Sequence, residues 1–209
     1  MAIKSTDYMV DLETVGKWAG CPILSIGAVI FPRGEGELGA EFYQAIDFQS
    51  CLDVGLVADA DTHHWWMQQS PEARAAAWDD QNKLRIDEAL QKFTDYLRKH
   101  STLDQTLVWG NGSGFDNEIL KLAFIKCGMP IPWNFRGDRD FRTLKDLAPS
   151  VFVNSEGVHH HALDDAKYQA RLAMKMFDGL QEKQTAIVKA VKPRVKPLDK
   201  KFDKPAKRR

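Results

Sequence analysis

The chain has 209 residues with 29 basic and 29 acidic side chains, so it has no formal net charge at neutral pH. Its hydrophobic content of 44% is ordinary for a globular protein and predicts one domain with a substantial core. Three cysteines without metal-ligand spacing argue against a disulfide framework and favour a reducing, cytoplasmic location. No apolar segment approaches the roughly 20 residues that span a bilayer, and no apolar run follows the N-terminus as in a signal peptide.

The first half of the chain predicts an antiparallel meander. Three segments rich in β-branched and aromatic residues are separated by glycine and proline, which favours strands joined by turns. The predicted strands cover residues 8–13, 23–31 and 42–48, with a hairpin turn over 32–36.

Helices and one further short strand follow the meander. Ser70 and Pro71 form a strong helix start, with a capping serine and a proline at the first helical position. A second helix, ending near residue 99, has apolar residues at helical spacing. The other predicted elements are a helix over 62–69, a strand over 106–109, a glycine-rich loop over 110–114, and helices over 116–127 and 162–177. The order of elements predicts an α/β fold, a mixed sheet with helices packed on it.

The end of the chain differs in charge from the rest. Residues 189–209 contain ten Lys or Arg and two Asp, a formal charge of +8, so residues 1–188 carry −8. We predict a folded domain over 1–188 and a basic, proline-containing, flexible tail over 189–209. Two interpretations of the tail stay open: an arm that binds phosphates or an acidic partner, and a solubilising end.

Three acidic segments far apart in the sequence carry the chemical signal. Asp11 and Glu13 are two apart on a predicted strand, so both carboxylates lie on one face, where cations would compensate their repulsion. Asp116 follows the glycine-rich loop at a helix start, where an acid is also favoured by the helix dipole alone.

The third segment, His159-His160-His161-Ala162-Leu163-Asp164-Asp165, allows two registers. His159 with Asp164 and His160 with Asp165 have the same spacing. On the following helix Asp165 shares the apolar face that must contact the sheet, whereas Asp164 shares the polar face. We therefore predict that Asp165 is a metal ligand and that His160 is the partner base.

In combination these segments resemble the DEDDh (DnaQ-like) 3′→5′ exonucleases. Two further segments, WWMQQSPEAR at 65–74 and RDFRT at 139–143, are similar to the branch that contains a mycobacterial exoribonuclease and phage exonucleases of the exonuclease A type. The resemblance covers residues 8–177. It implies a ribonuclease H-like fold, with a mixed five-stranded sheet flanked by helices.

The resemblance also implies a mechanism. Two divalent cations, Mg²⁺ or Mn²⁺, would be held by the four acids, and His160 would take a proton from the attacking water. The expected reaction releases 5′-phosphomononucleotides from the 3′ end of single-stranded nucleic acid, with DNA favoured over RNA. Residues expected to contact substrate are Thr14, Trp66 (or its neighbour Trp65), Phe115, Arg139 and Arg142.

Several alternatives stay open at this point. At least one of the two tryptophans is expected to be core packing, and Arg139 between two aspartates is also typical of an ordinary ion pair. The same site would serve an exoribonuclease. A nucleic-acid-binding module without catalysis is disfavoured because all five catalytic positions are filled, and an acidic domain that binds a basic tail is a third reading. Relatives often form homodimers, and a bacterial cell, or a phage-infected one, is the expected setting.

Overall fold

A five-stranded mixed sheet forms the centre of the protein. The structure, a computed structural model, describes residues 5–78, 80–112, 114–154 and 157–190. The strands are β1 (Thr6–Thr14), β2 (Ile23–Phe31), β3 (Glu41–Ala45), β4 (Thr106–Gly110) and β5 (Asp138–Asp140). Their order is β3-β2-β1-β4-β5, with antiparallel pairing of β1 to β2 and of β2 to β3, and parallel pairing of β1 to β4 and of β4 to β5. The long strand β1 is therefore central.

Helices cover both faces of the sheet and extend beyond one of its ends. In chain order they are α1 (Phe48–Asp53), α2 (Ala60–Met67), α3 (Pro71–Trp78), α4 (Ile86–His100), α5 (Asp116–Lys126), α6 (Phe141–Leu147) and α7 (Ala162–Ala190). Side chains cap several of them: Asp59 accepts from the Thr62 amide before α2, and Asp140 accepts from the Thr143 amide before α6.

The alternation of side chains along β1 sorts the core into two layers. Tyr8, Val10 and Leu12 point to the face covered by α4 and α5, where they join the largest apolar cluster. Met9 points to the other face and packs with the apolar residues of α6 and α7. Asp11 and Glu13 lie on the same face of β1 as Met9. The two acids therefore lie under α7.

Most of the predicted elements are confirmed, with differences at short ones. The predicted third strand is wrong beyond Ala45, because Phe48 already begins α1 behind the Asp47 cap. The connection before β3 spans 32–40 and is wider than a tight hairpin turn. Helix α7 runs for 29 residues and ends well beyond the predicted 177. The two elements β5 and α6 have 3 and 7 residues and were not predicted from local pattern.

The predicted basic tail cannot be compared with the structure in full. Residues 189 and 190 belong to α7, and residues 191–209 lie outside the described part of the chain. In that described part no helix is both long and apolar enough to cross a membrane.

The start of α7 rests directly on β2. A Cβ atom placed on Gly27 would lie 2.2 Å from the carbonyl carbon of Ala162 and 2.3 Å from the amide nitrogen of Leu163. Gly27 pairs with Asp11 across the sheet. The missing side chain therefore lets the first turn of α7 lie at the level of Asp11.

This contact predicts the effect of one added methyl group. Gly27→Ala should destabilise the protein by about 1–3 kcal/mol, because the nearest atoms are backbone and must shift. Gly179→Ala in α7 is the control, since nothing lies within 4 Å of the new atom. This change should stabilise the protein by about 0.4–1 kcal/mol. Chemical unfolding of both variants measures the difference. Equal stability of Gly27→Ala and the parent protein would contradict the described contact.

Candidate active site

Three carboxylates from the two ends of the chain lie together at the centre of the sheet. Asp11 and Glu13 come from β1 and Asp165 from the first turn of α7, and one carboxylate oxygen of each lies within 4.8 Å of one oxygen of each of the other two. The pairing of β1 with β2 shifts register between Glu13 and Thr14, so the strand is irregular at this point. The close contact of Gly27 with the start of α7 brings Asp165 near Asp11 and Glu13, although these acids are far apart in the sequence.

A fourth carboxylate approaches from the end of β4. Asp116 is only 1% exposed and begins α5, directly after the glycine-containing loop. One of its oxygens accepts the Asn111 amide at 2.8 Å, which fixes the carboxylate beside the sheet edge. Its charge raises the pKa of both Asp11 and Glu13. The four predicted acids are therefore neighbours.

The electrostatics of this group are unfavourable for the protein alone. Burial is the main cause of the raised pKa of each carboxyl group: it raises the pKa of Glu13 to about 8 and that of Asp116 to about 7, and it raises those of Asp11 and Asp165. Mutual repulsion adds to the effect at Asp11 and Glu13. Such a group of acids needs positive charge near it to be ionised at neutral pH.

His160 lies on the loop that leads into α7. Its backbone is left-handed, with φ of 63°, and its amide donates to an Asp165 oxygen at 3.1 Å. The edge of its ring meets Trp65 at 5.0 Å between ring centres and Trp66 at 5.9 Å. Burial lowers the pKa of His160, and the neighbouring His159 lowers it further. The ring is therefore neutral near pH 7 and able to accept a proton.

The structure separates the two candidate acids of the histidine segment. Asp165 is the acid that joins Asp11 and Glu13, and Leu172 and Met176 on its helix face are buried as predicted. Asp164 instead accepts the Val158 amide at 3.0 Å and lies 3.5 Å from the His161 ring. The His161 ring stacks on Tyr43 with 4.5 Å between centres. Asp165, and not Asp164, is therefore the acid of this segment that faces Asp11 and Glu13, and both His159 and His160 lie beside it.

A cleft of about 360 Å³ opens over the acids and contains residues that the sequence did not indicate. Gln169 donates to Asp11 at 2.6 Å, and its own amide oxygen is buried without a hydrogen-bond partner in the described residues, as is that of Asn111. Lys145 also lines the cleft, from α6. Helical spacing from Asp165 could have indicated Gln169; nothing local indicated Lys145, because α6 itself was not predicted.

The donor set fits hard divalent cations. Three carboxylates and two side-chain amides line the cleft, and the two amide oxygens accept no hydrogen bond from the residues that the structure describes. Mg²⁺ and Mn²⁺ favour such ligands. The raised pKa values are also those expected of acids that bind cations when ionised.

A smaller cavity of about 200 Å³ adjoins the acids on the side of α2. Trp65, 40% exposed, and the half-buried Phe115 line it. Trp66 is 1% exposed, and its indole N–H donates to the Thr14 carbonyl at 2.9 Å. Trp66 is therefore the core tryptophan of the pair, and Trp65 offers the accessible ring. Thr14 is buried, with its hydroxyl bonded to the Gly16 carbonyl.

The two predicted arginines lie in different places. Arg142 donates to the Asn111 carbonyl at 2.9 Å and lowers the pKa of Asp116, so it is beside the acidic cleft. Arg139 on β5 lies opposite Trp109 on β4 in the strand pairing. Together with Asp7 and Arg33 it lines a different cavity, near the start of β1. Its guanidinium donates to the carbonyls of Arg136 and Asp138. Arg139 thus has local partners away from the acids.

Solved structures share this arrangement of the sheet and helices. The nuclease domain of 3′hExo, a DEDDh family member bound to rAMP, is 16% identical with a TM-score of 0.57, covering 87% of this chain and 94% of that one. Exonuclease I of E. coli, solved with a dA16 oligonucleotide, is 18% identical with a TM-score of 0.53, covering 88% of this chain and 46% of that one. The fold is therefore that of the ribonuclease H-like DEDDh exonucleases.

Sequence comparison identifies the family. The chain belongs to the family described as the 3′-5′ exoribonuclease Rv2179c-like domain, whose model matches residues 6–177. It is also 26% identical to an exodeoxyribonuclease of Enterobacteria phage T4, over 85% of this chain and 95% of that protein. The protein is thus a hydrolase of the 3′-5′ exonuclease class.

The raised pKa values predict how the metal-free protein responds to pH. Between the pKa of the unfolded chain and the raised pKa of the folded protein, Glu13 and Asp116 are protonated only in the folded state. Their contribution to the free energy of unfolding is therefore complete below the unfolded pKa and is lost as pH rises through about 7–8. In EDTA the melting temperature should therefore fall from about pH 4.5, near the ordinary pKa of a carboxyl group, to about pH 8, and level off at higher pH. Thermal unfolding with and without excess Mg²⁺ measures this, and Mg²⁺ should raise the melting temperature most at the higher pH.

Two variants test whether a buried acid, and not any acidic side chain, causes this pH dependence of the melting temperature. Glu13→Gln removes one repelling charge, so its melting temperature in EDTA should be higher at alkaline pH and less dependent on pH. Glu182→Gln changes an exposed acid of α7 and should leave the profile unchanged. A profile of Glu13→Gln that parallels the parent protein would show that Glu13 does not cause the slope.

Proposed function

We propose that the protein removes nucleotides from the 3′ end of single-stranded nucleic acid, with DNA as the favoured substrate, by hydrolysis that depends on two divalent cations. The observation that carries the proposal is the convergence of Asp11, Glu13 and Asp165 within 4.8 Å, with Asp116 and His160 beside them. The products would be 5′-phosphomononucleotides. We propose Mg²⁺ or Mn²⁺ as the cations because the donor set is made of oxygens.

The four acids would hold the cations. Asp11 interacts electrostatically with all three other acids, so we propose that it is shared by both cations and that Glu13, Asp165 and Asp116 supply the other ligands. When bound, the cations would supply charge stabilisation at the scissile phosphate and lower the pKa of the attacking water. Gln169 would orient Asp11 through its hydrogen bond.

His160 would act as the general base. Its neutral ring can accept the proton of the attacking water. The hydrogen bond that its backbone amide donates to Asp165 keeps the loop close to the acids. The left-handed backbone holds the ring against the edge of Trp65. In that position the imidazole lines the acidic cleft and contacts Trp65, which lines the aromatic cavity.

The rest of the cleft would bind the 3′-terminal nucleotide. Trp65 and Phe115 offer aromatic surface for the terminal base in the small cavity next to Glu13. Arg142 and Lys145 flank the acids from α6 and could pair with backbone phosphates. Thr14 would contribute mainly by holding Trp66 in place through its carbonyl.

An exoribonuclease is the second candidate. It is favoured by the description of the matching family, whereas the proposal for DNA is favoured by the phage T4 relative, which is matched over nearly its whole length. Contacts to the ribose 2′-hydroxyl decide between them. Digestion of matched DNA and RNA oligonucleotides, each blocked at one end, tests sugar preference and polarity together. The homodimer expected from the resemblance stays a prediction that light scattering can check.

The catalytic assignment predicts a clear contrast between neighbouring positions. His160→Gln should slow Mg²⁺-dependent hydrolysis by about 10²–10⁴-fold, the usual contribution of a general base. Asp165→Asn should cause a loss at least as large, because it removes a cation ligand. Single-turnover hydrolysis of a 5′-labelled oligonucleotide measures both, and unchanged melting curves exclude misfolding.

Asp164→Asn is the matched control for the register. It alters the adjacent acid on the other side of the helix and should keep most of the activity, since Asp164 bonds to the Val158 amide and not to the acidic group. Full activity of Asp165→Asn together with an inactive Asp164→Asn would overturn the proposed pair and restore the alternative register.

The aromatic cavity predicts opposite results for the two tryptophans. Trp65→Ala should raise KM about tenfold or more without changing stability, because stacking on a base contributes about 1–3 kcal/mol. Trp66→Ala should destabilise the fold by about 3–5 kcal/mol because it empties a buried site. Steady-state kinetics and chemical unfolding measure the two effects. An unchanged KM for Trp65→Ala would remove this ring from the substrate site.

A further inference from the structure

A second group of potential metal ligands overlaps the acidic site. The ring nitrogens of His159 and His160 and a carboxylate oxygen of Asp165 lie within 4.8 Å of one another. Two of these residues belong to the proposed catalytic centre, whereas His159 has been given no role in the reaction. His159 is exposed at the mouth of the cleft, so an ion in solution can reach it.

The backbone explains why the rings of two adjacent histidines lie side by side. Consecutive residues in an extended segment point in opposite directions, which would separate their rings. The left-handed conformation at His160 breaks this alternation, and the two rings lie 4.2 Å apart between centres. His160 is the one non-glycine residue with positive φ in the described chain. The turn that directs His160 toward the acids thus also brings His159 beside it.

We propose that His159, His160 and Asp165 form an inhibitory site for Zn²⁺ or a similar imidazole-binding transition metal. Three side-chain ligands with one position left for water are a usual zinc arrangement, and small rotations would bring the ligand atoms to the distances of about 2.0–2.1 Å that zinc requires. Mg²⁺ is not expected there, since it prefers oxygen ligands and octahedral geometry.

The inhibition follows from the shared residues. An ion held by His160 and Asp165 removes the proposed base and one proposed cation ligand at the same time. Zinc at this site and the active arrangement of the cleft therefore exclude each other. This part of the inference rests on the proposed function, whereas binding of the metal alone does not.

Metal binding is tested first, without substrate. Co²⁺, which gives visible absorption in low-coordinate nitrogen and oxygen sites, is titrated into the full chain, and Zn²⁺ is then added to displace it. His159→Gln should weaken binding by at least about tenfold, the smallest usual cost of losing even an indirect partner of a metal. His100→Gln changes a histidine at the end of α4, beside Tyr96, and should bind as the parent chain does.

Inhibition is tested next, in Mg²⁺ buffer with an oligonucleotide substrate. Each variant is compared with its own rate without zinc, and His159→Gln should need at least about tenfold more Zn²⁺ for half inhibition than the parent chain. The His100→Gln variant should be inhibited like the parent. Equal inhibition of His159→Gln and the parent would mean that zinc acts through the carboxylates alone, and this would overturn the proposal, as would a zinc-activated parent enzyme.

The two measurements separate this inference from the proposed function. A parent chain without nuclease activity would contradict the proposed function, yet His159-dependent Co²⁺ binding would still establish the metal site. An active parent chain whose Co²⁺ spectrum and zinc sensitivity do not depend on His159 would leave the exonuclease intact and refute the inhibitory site.

Discussion

The repulsion among the buried acidic side chains at the centre of the sheet is the main local cost that this fold has to offset. Asp11 and Glu13 share one face of β1, and Asp165 and Asp116 are brought to them by two different helices. Burial and mutual repulsion raise their pKa values, so the fold carries a local energetic cost when no cation is present. The apolar layers on both faces of the sheet offset that cost.

Irregular backbone accumulates where the acids meet. The β1–β2 register shifts after Glu13, Gly112 has a φ of 115° in the loop before Asp116, and His160 is left-handed. Regular strands and helices alone would not direct side chains from three separate segments to one point. Each irregularity re-aims one segment, and the long regular elements β1 and α7 hold the ends of those segments in place.

The parts of the site that the sequence predicts are those encoded by local periodicity. The two-residue spacing of Asp11 and Glu13 predicts a common face, and the helical period distinguishes Asp165 from Asp164; both follow from geometry within one element. Lys145 was missed because α6 has only 7 residues, too few for an apolar period to be recognised. The separate location of Arg139 depends on the pairing of β5 with β4, which no local pattern contains.

A comparison along β1 itself supports the cleft, and not another acidic position, as the candidate functional site. Asp7 lies on the same face as Asp11, and it too is largely buried. Its carboxylate, however, is paired by the protein: Arg33 forms a salt bridge at 2.8 Å and the Trp109 indole donates at 2.7 Å. Four residues further along, Asp11 has Gln169 as a hydrogen-bond donor and three other acids as neighbours. One face of β1 therefore holds both Asp7, whose charge the protein itself neutralises, and the acids around Asp11, whose charge it does not neutralise. A buried group of uncompensated acids lowers stability, and such groups are typical of functional sites.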